Sequence, residues 1–295
     1  MTGGLLLVDK PPGITSHDVV SRLRDATGIA RVGHAGTLDP FATGLLVVLL
    51  GRATRLSQFF VGMDKAYWLR LRLGEASDTL DVTGTVVQRR PVCVTASQLV
   101  SAADSFLGEI TQLPPMFSAV RVGGQKLYRI ARRGITVDRP ARRVSVFELR
   151  LGQVDLPDVE MFLRCSSGTY VRSLAHDLGQ ALGCGALVTE LRRTRVGPFG
   201  VEVSLPLGDL VQSPSLLLKA QIPLERLLPD IPRRIVSGED AERICSGRDL
   251  AWDGETHDWV RLCDAEGRLL AMGRVGRGGI HPAIVLLQGA RTSFS

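Results

Sequence analysis

Long apolar runs, paired cysteines and cofactor signatures are all missing from this chain of 295 residues. Its longest strongly apolar run, Leu45 to Leu50, covers six residues, far short of the ~20 a helix needs to cross a bilayer. Residues 1–9 lack the charged start and cleavage site of a secretory signal, so a cytoplasmic protein without membrane contact is expected. The cysteines (Cys93, Cys165, Cys184, Cys245 and Cys263) are odd in number and scattered, with no CxxC spacing, and no HExxH occurs. This excludes a disulfide framework and a recognisable metal site, leaving structural thiols. Neither GxGxxG after a strand nor GxxxxGK followed by Ser or Thr is present, so no cofactor is expected. Aromatics are 5% of the chain, and Tyr67, Tyr128 and Tyr170 are its three tyrosines.

What the chain does have is arginine. Lys and Arg number 36 against 30 Asp and Glu, a formal charge of +6, with a pI near 9.4. Arg121, Lys126, Arg129, Arg132, Arg133, Arg139, Arg142 and Arg143 crowd one stretch, and Arg192, Arg193 and Arg195 form a second group. Guanidinium forks pair with phosphates at two points and stack on bases, so an RNA face and an ordinary solvated surface both fit this pattern. A 44% hydrophobic content and mean hydropathy of +0.13 describe a globular chain of a length that suits one large domain plus a small one.

Periodicity places the elements. Gly4 to Val8 reads as a buried strand stopped by Lys10-Pro11-Pro12-Gly13. Thr15 or Ser16 caps a helix that runs to Ala26 and ends at Gly28. Lys65 to Leu73 alternates, with Tyr67, Leu69, Leu71 and Leu73 on one face and Arg70 and Arg72 on the other, a half-buried strand. Asp78 to Gly84 is turn-like, with Val86-Val87 as the returning strand of a hairpin. Thr95 caps a helix over Ala96 to Phe106 closed by Gly108, and strands follow over Arg143 to Leu151 and Val159 to Cys165. A helix after Tyr170 turns Val171, Leu174, Ala175 and Leu178 inward. No regular βαβ alternation emerges, so the expected class is α+β. Prolines at 206, 214, 223, 229 and 232 punctuate a bridge. A capped helix over Ser237 to Cys245, a hairpin over 260–275 and a strand over His281 to Leu287 then make a small β-rich unit. The expected domains are 1–228 and 229–295.

The run Gly33-His34-Ala35-Gly36-Thr37-Leu38-Asp39-Pro40 carries the most chemistry. Pro40 pushes Asp39 out of the helical region, and Gly33 and Gly36 permit positive φ or a close backbone approach. A carboxylate offered on such a loop suits a nucleophile; Leu-Asp-Pro also starts ordinary turns and helices. A nearby cation would keep Asp39 ionised, and Arg172, after Tyr170, is the candidate. Tyr67 and Tyr170 each stand beside an arginine-bearing element, where a ring stacks an unpaired base or simply packs.

The stretch from Gly33 to Leu46 resembles motif II of the TruB-type tRNA pseudouridine synthases. Leu7 to Ser16 is similar to that family's lysine-proline opening, and Lys65-Ala66-Tyr67 to Gly74 to its tyrosine strand. Pro114 to Ala119, Gly124 to Tyr128, Cys165 to Leu174 and Gly183 to Arg193 follow in the family's order. The resemblance implies a mixed, largely antiparallel central sheet flanked by helices, the pseudouridine synthase fold, followed by a small PUA-like RNA-binding domain. It implies a cofactor-independent isomerase that converts uridine 55 in the T loop of tRNA to pseudouridine by base flipping, with the tRNA T arm as partner. For want of an amphipathic zipper or internal repeat, a monomer is the expected state. Asp39 matches the catalytic aspartate, Tyr67 the tyrosine that stacks on the target base and takes its C5 proton, and Arg172 the arginine paired with the carboxylate. His34, Tyr170 and Leu191 match positions that contact the flipped nucleotide, with Lys10, Arg55 and Lys126 as further substrate contacts. Whether Asp39 adds to C6 of the ring or to C1′ of the sugar stays open at this level. Ser167 and Arg55 stand where many relatives carry lysine, and Phe117 where tyrosine is frequent.

Overall fold

In chain order the elements that build the site are β1 (Gly3–Lys10), α1 (Ser16–Thr27), β2 (Val32–His34), β3 (Thr43–Gly51), α2 (Ser57–Val61), β4 (Lys65–Leu73), β5 (Glu75–Ser77), β6 (Val86–Arg89), α3 (Ala96–Asp104), β7 (Gly108–Gln112), β8 (Arg121–Val122), β9 (Gln125–Lys126), α4 (Leu127–Ala131), β10 (Arg142–Asp155), β11 (Asp158–Cys165), α5 (Val171–Ala181) and β12 (Ala186–Val196). The computed structural model describes residues 3–252, 254, 257–276 and 278–286. The main sheet runs β1-β3-β12-β4-β11-β10-β7, with Leu205–Pro206 outside β1. Only β3 with β12 and β1 with Leu205–Pro206 are parallel along this path; the other pairs are antiparallel. The sheet is therefore mixed and largely antiparallel, as expected.

Strands β1 and β3 are apolar at almost every position because both of their faces are covered. Leu6, Val8, Leu46, Val48 and Leu50 join a core that also holds Val19, Val20 and Leu23 of α1 and Leu174 and Leu178 of α5. Leu5, Leu7, Leu45, Val47 and Leu49 point the other way, where Phe60 and Val196 meet Cys263, Leu269, Met272 and Leu286 of the C-terminal unit. That unit is a four-stranded sheet of Arg233–Ile235, Trp259–Cys263, Leu269–Gly276 and Gly279–Val285 with the helix Gly238–Cys245. Phe59 and Trp259 meet edge-to-face at 4.9 Å across this contact, and Arg52 Nη1 donates to the Leu286 carbonyl at 2.7 Å.

Local signals account for several boundaries. Thr15 and Asp18 form a reciprocal capping box at the start of α1, and Gly28 closes it in the left-handed conformation. Helix α3 stops two residues before Phe106, and Gly108, at φ +88°, opens β7. Strand β6 pairs with the short β5 and not with β4, because both edges of β4 are taken by β11 and β12. The last strand ends at Val285; the expected end at Leu287 lies outside the described residues.

Strand β12, at the centre of the sheet, has no counterpart in the sequence reading. Arg192, Arg193 and Arg195 interrupt its apolar pattern, and bulges between Val188 and Glu190 and between Arg193 and Arg195 break its alternation. Among the described residues no helix is long and apolar enough to cross a membrane.

Leu49 and Leu50 are fully buried on opposite faces of β3. Leu49→Ala and Leu50→Ala are each expected to cost about 2–5 kcal/mol in urea unfolding. Val87→Ala, at a position 67% exposed, should stay within about 0.5 kcal/mol of the parent.

Candidate active site

Asp39 lies on the loop between β2 and β3, and that loop is tied down from below. Gly36 takes φ +102°, a left-handed value that admits the turn, whereas Gly33 lies in β2 without positive φ. Ser16 Oγ, at the start of α1, accepts from Leu38 N at 2.8 Å and donates to the Leu38 carbonyl at 3.1 Å. Lys10 Nζ donates to the carbonyls of Pro11, Ile14 and Pro40 at 2.9, 2.8 and 3.2 Å. Gly13 N donates to the same Pro40 carbonyl. Lys10 is fully buried, and burial lowers its ammonium to about 8, with Asp39 opposing the shift. The Lys10 head group, expected to contact substrate, is enclosed here and ties the lysine-proline turn to the Asp39 loop.

Arg172 fixes the carboxylate itself. Its Nε and Nη2 donate to Asp39 Oδ2 and Oδ1 at 2.8 and 3.0 Å, a two-point fork. Nη1 donates to the Thr79 carbonyl at 2.6 Å and Nη2 to the Phe117 carbonyl at 2.9 Å. Nη1 also stands 3.3 Å from Asp81 Oδ2. Arg172 lies in the first turn of α5, where the helix dipole disfavours a cation; two carboxylates and two carbonyls outweigh that. The Arg172 and Asp81 side chains are each 4% exposed, but Asp39 is 33% exposed and faces the opening. Burial raises the Asp39 carboxyl above its ordinary value, opposed by the charge and hydrogen bonds of Arg172.

The opening is a cleft of about 250 Å³ whose lining includes Asp39, Tyr67, Tyr170, Arg172, Leu191 and Arg193. The structure thus brings Asp39, Tyr67, Arg172, Tyr170 and Leu191 together from β4, β12, the start of α5 and the loop before β3. Burial raises the Tyr67 hydroxyl, with the charge of Arg193 opposing. Tyr170 is held by its backbone: its N–H donates to Gln112 Oε1 at 3.0 Å and its carbonyl accepts from Gln112 Nε2 at 3.3 Å. Its hydroxyl is also raised by burial.

Three expected substrate contacts stand away from the cleft wall. His34 pairs with Val48 in β2–β3, its Nδ1 is buried without a partner, and burial lowers its pKa, so the ring is neutral. Arg55 is exposed, and its Nη1 donates to the Val285 carbonyl of the C-terminal unit. Lys126 lies on the β8–β9 hairpin with its ammonium 5.7 Å from the Tyr128 ring centre. The basic groups also separate. Arg121, Arg129, Arg132, Arg133, Arg142 and Arg143 are exposed. The second group is not a common surface: Arg192 binds Asp9 at 2.7 Å, Arg193 is 1% exposed, and only Arg195 of the three is exposed.

Asp81, Arg193 and Lys65 belong to the site and escaped the sequence reading. The alternation of β4 holds a signal for Lys65, which shares the inward face of Tyr67 and Leu69. Asp81 carried no such signal; it sits in a turn whose Thr79 and Thr83 hydroxyls donate to its carboxylate. Among the described residues no cluster of His, Cys, Asp and Glu could hold a metal ion. The arrangement offers an ionised carboxylate, a clamped guanidinium, a phenol and an apolar wall, a set suited to nucleophilic attack and proton transfer on one small ring.

Comparison with known proteins identifies the family. The model of the TruB family pseudouridylate synthase N-terminal domain matches residues 24–171, and that of the tRNA pseudouridylate synthase B C-terminal domain matches residues 172–229. The chain is 43% identical over 294 residues to tRNA pseudouridine synthase B of Thermobifida fusca, covering 97% of this chain and 99% of the relative. It is 46% identical over 254 residues to that of Mycobacterium sp. (strain KMS), 84% of each chain. Over 284 residues it is 39% identical to that of Thermotoga maritima, 94% of this chain and 91% of the relative. Among solved structures, a chain of a Cbf5-Nop10-Gar1 complex superposes with a TM-score of 0.73 at 28% identity, covering 96% of this chain and 85% of that one. A chain of an H/ACA RNP bound to a substrate RNA containing 2′-deoxyuridine gives 0.72 at 26% identity, covering 97% and 85%. Since the two matched stretches between them contain every residue lining the cleft, the chain belongs to the TruB family of pseudouridylate synthases and is an isomerase.

Proposed function

We propose that this isomerase converts uridine 55 in the T loop of tRNA to pseudouridine, without a cofactor, through Asp39 as nucleophile on a flipped-out nucleotide. The observation that carries the reading is the Asp39 carboxylate, clamped at two points by Arg172 yet open to a cleft that also presents Tyr67 and Leu191. In the reaction the C1′–N1 bond breaks, the uracil turns and a C1′–C5 bond forms; the C5 proton leaves and N1 gains one. Asp39 adds to C6 or to C1′ to release the ring. Tyr67 stacks on the base and takes the C5 proton, while Leu191 and Tyr170 hold the ring against it. Flipping costs a few kcal/mol of unstacking, and stacking at about 1–3 kcal/mol per base offsets it.

The tRNA substrate is supported by the names of the relatives, all tRNA pseudouridine synthase B. The exposed arginines between 121 and 143, with Lys126, form the face for the T arm, and His34 fills the space the nucleotide leaves. The unit from residue 229 onward acts as a PUA-like RNA-binding domain beside the catalytic domain of residues 1–228. The working state is a cytoplasmic monomer.

Incubating the purified protein with an unmodified tRNA transcript, without cofactors, and mapping pseudouridine tests the reading; product at position 55 is expected, and none at any position would overturn it. Asp39→Asn should lower kcat on the order of 10⁴-fold or more while tRNA affinity holds. Attack needs the ionised carboxylate, and burial raises its pKa. The kcat/KM profile, which reports the free enzyme, should therefore fall toward acid with a midpoint above the ordinary ~3.9 of an aspartate; a midpoint at or below that value counts against Asp39. Arg129→Glu and Arg133→Glu, both at exposed positions, should each reduce the salt slope of tRNA binding by about 1. Arg192→Ala, which removes a partner of Asp9, should leave that slope unchanged.

A further inference from the structure

Arg193 leads the largest fully buried side chains, at 1% exposed. Arg172 shares its burial but faces two carboxylates. Arg193 has none among the described residues: its Nε donates to the Leu45 carbonyl at 2.7 Å, Nη2 to Gly36 at 3.0 Å and Nη1 to Thr37 at 3.4 Å. Lys65 repeats the pattern, buried with Nζ 2.6 Å from the carbonyls of both Val61 and Met63. Two buried cations hydrogen-bonded only to neutral groups, carbonyls for both and the Tyr67 hydroxyl besides for Arg193, are costly to keep unless an anion forms beside them. Both line the cleft.

The strand register identifies what they face. Arg193 on β12 stands directly opposite Tyr67 on β4, within cross-strand reach. The same guanidinium holds the Gly36 and Thr37 carbonyls, three and two residues before Asp39. Gly44 adds rigidity: at φ +97° it lies so close that a Cβ there would run into the Arg193 backbone, so β3 and β12 cannot slide apart locally without losing that contact.

We propose that Arg193 is a positioning residue for the isomerisation: its guanidinium locks the Asp39 loop at a fixed distance from Tyr67 and supplies the positive charge that lets the Tyr67 oxygen accept the C5 proton. This rests on the reading of Tyr67 as proton acceptor given above. The charged and titratable groups around Tyr67 are Arg193 from β12, Cys165 at the end of β11, Asp39 from its loop and Lys65 on β4 itself. Burial pushes the Cys165 thiol up to about 11, so it stays neutral, and Asp39 opposes a second anion. Arg193 is thus the group that favours the phenolate, with Lys65 as an added cation nearby. The proton balance closes: as the Tyr67 oxygen takes the C5 proton, the hydroxyl proton that burial keeps on it in the resting site passes through water to N1 of the same ring.

The test is ultraviolet titration of the three tyrosines in the RNA-free full chain, with Tyr67→Phe assigning its own transition, beside tRNA kinetics for Arg193→Met and Arg193→Lys. Tyr67 should ionise at higher pH in Arg193→Met than in the parent, with Arg193→Lys between them. In Arg193→Met kcat should fall about 10–100-fold while tRNA affinity stays within about twofold. An unchanged Tyr67 transition, or equal losses in kcat and affinity, would overturn the proposal. Should Arg193→Met lose its cooperative thermal transition, Arg193→Lys decides on the same two readouts. A parent protein that makes no pseudouridine would sink the functional reading, whereas the titration would still report the coupling of Arg193 to Tyr67.

Discussion

A guanidinium that answers two carboxylates at once is the constraint around which this molecule is organised. Arg172 sits at the head of α5, where its charge is unwelcome, and is buried where its charge is expensive. Those costs are met only if Asp39, Asp81 and the Thr79 and Phe117 carbonyls arrive together. They come from three separate stretches of chain, so with α5 itself one side chain sets the relative position of four segments. Leaving any one out would strand a buried polar group. The opening of the cleft follows from the same geometry, because Asp39 alone of the trio reaches solvent.

Beneath that pair lies a second layer of ties that contains no acid at all. Lys10, Arg193 and Lys65 spend their donors on backbone carbonyls around the Asp39 loop, the start of β3 and the end of α2. Cations used this way fix irregular backbone that no regular ladder can hold. They also leave the cleft richer in positive than negative charge, a natural bias for a pocket that receives part of a polyanion.

The parts of the fold legible in the sequence were those ruled by local chemistry. The capping box at Thr15 and Asp18, the alternation of Lys65 to Leu73, and the inward face of α5 all follow from short-range pattern. Asp39, Tyr67 and Arg172 came from a loop, a strand and a helix start whose residue types match a known family; the structure joins them in one cleft. What stayed hidden was set by distant contacts. Strand β12 looks like a basic surface segment until its partners are known, because Arg193 faces the interior and two bulges scramble the period. Lys10 in the lysine-proline opening gives no local sign of the three carbonyls that surround it. In both cases tertiary structure places a cation in the interior.

The oily seam shared by β3 and the final sheet has an implication for the chain as a unit. Leu45, Val47 and Leu49 share one cluster with Phe60 and Val196 and with Leu269, Met272 and Leu286 of the C-terminal unit. A version cut short after the bridge would bare a greasy stripe along the very strand that begins beside the Asp39 loop. Such a fragment would gum together with its copies, so the tail also serves to roof the scaffold.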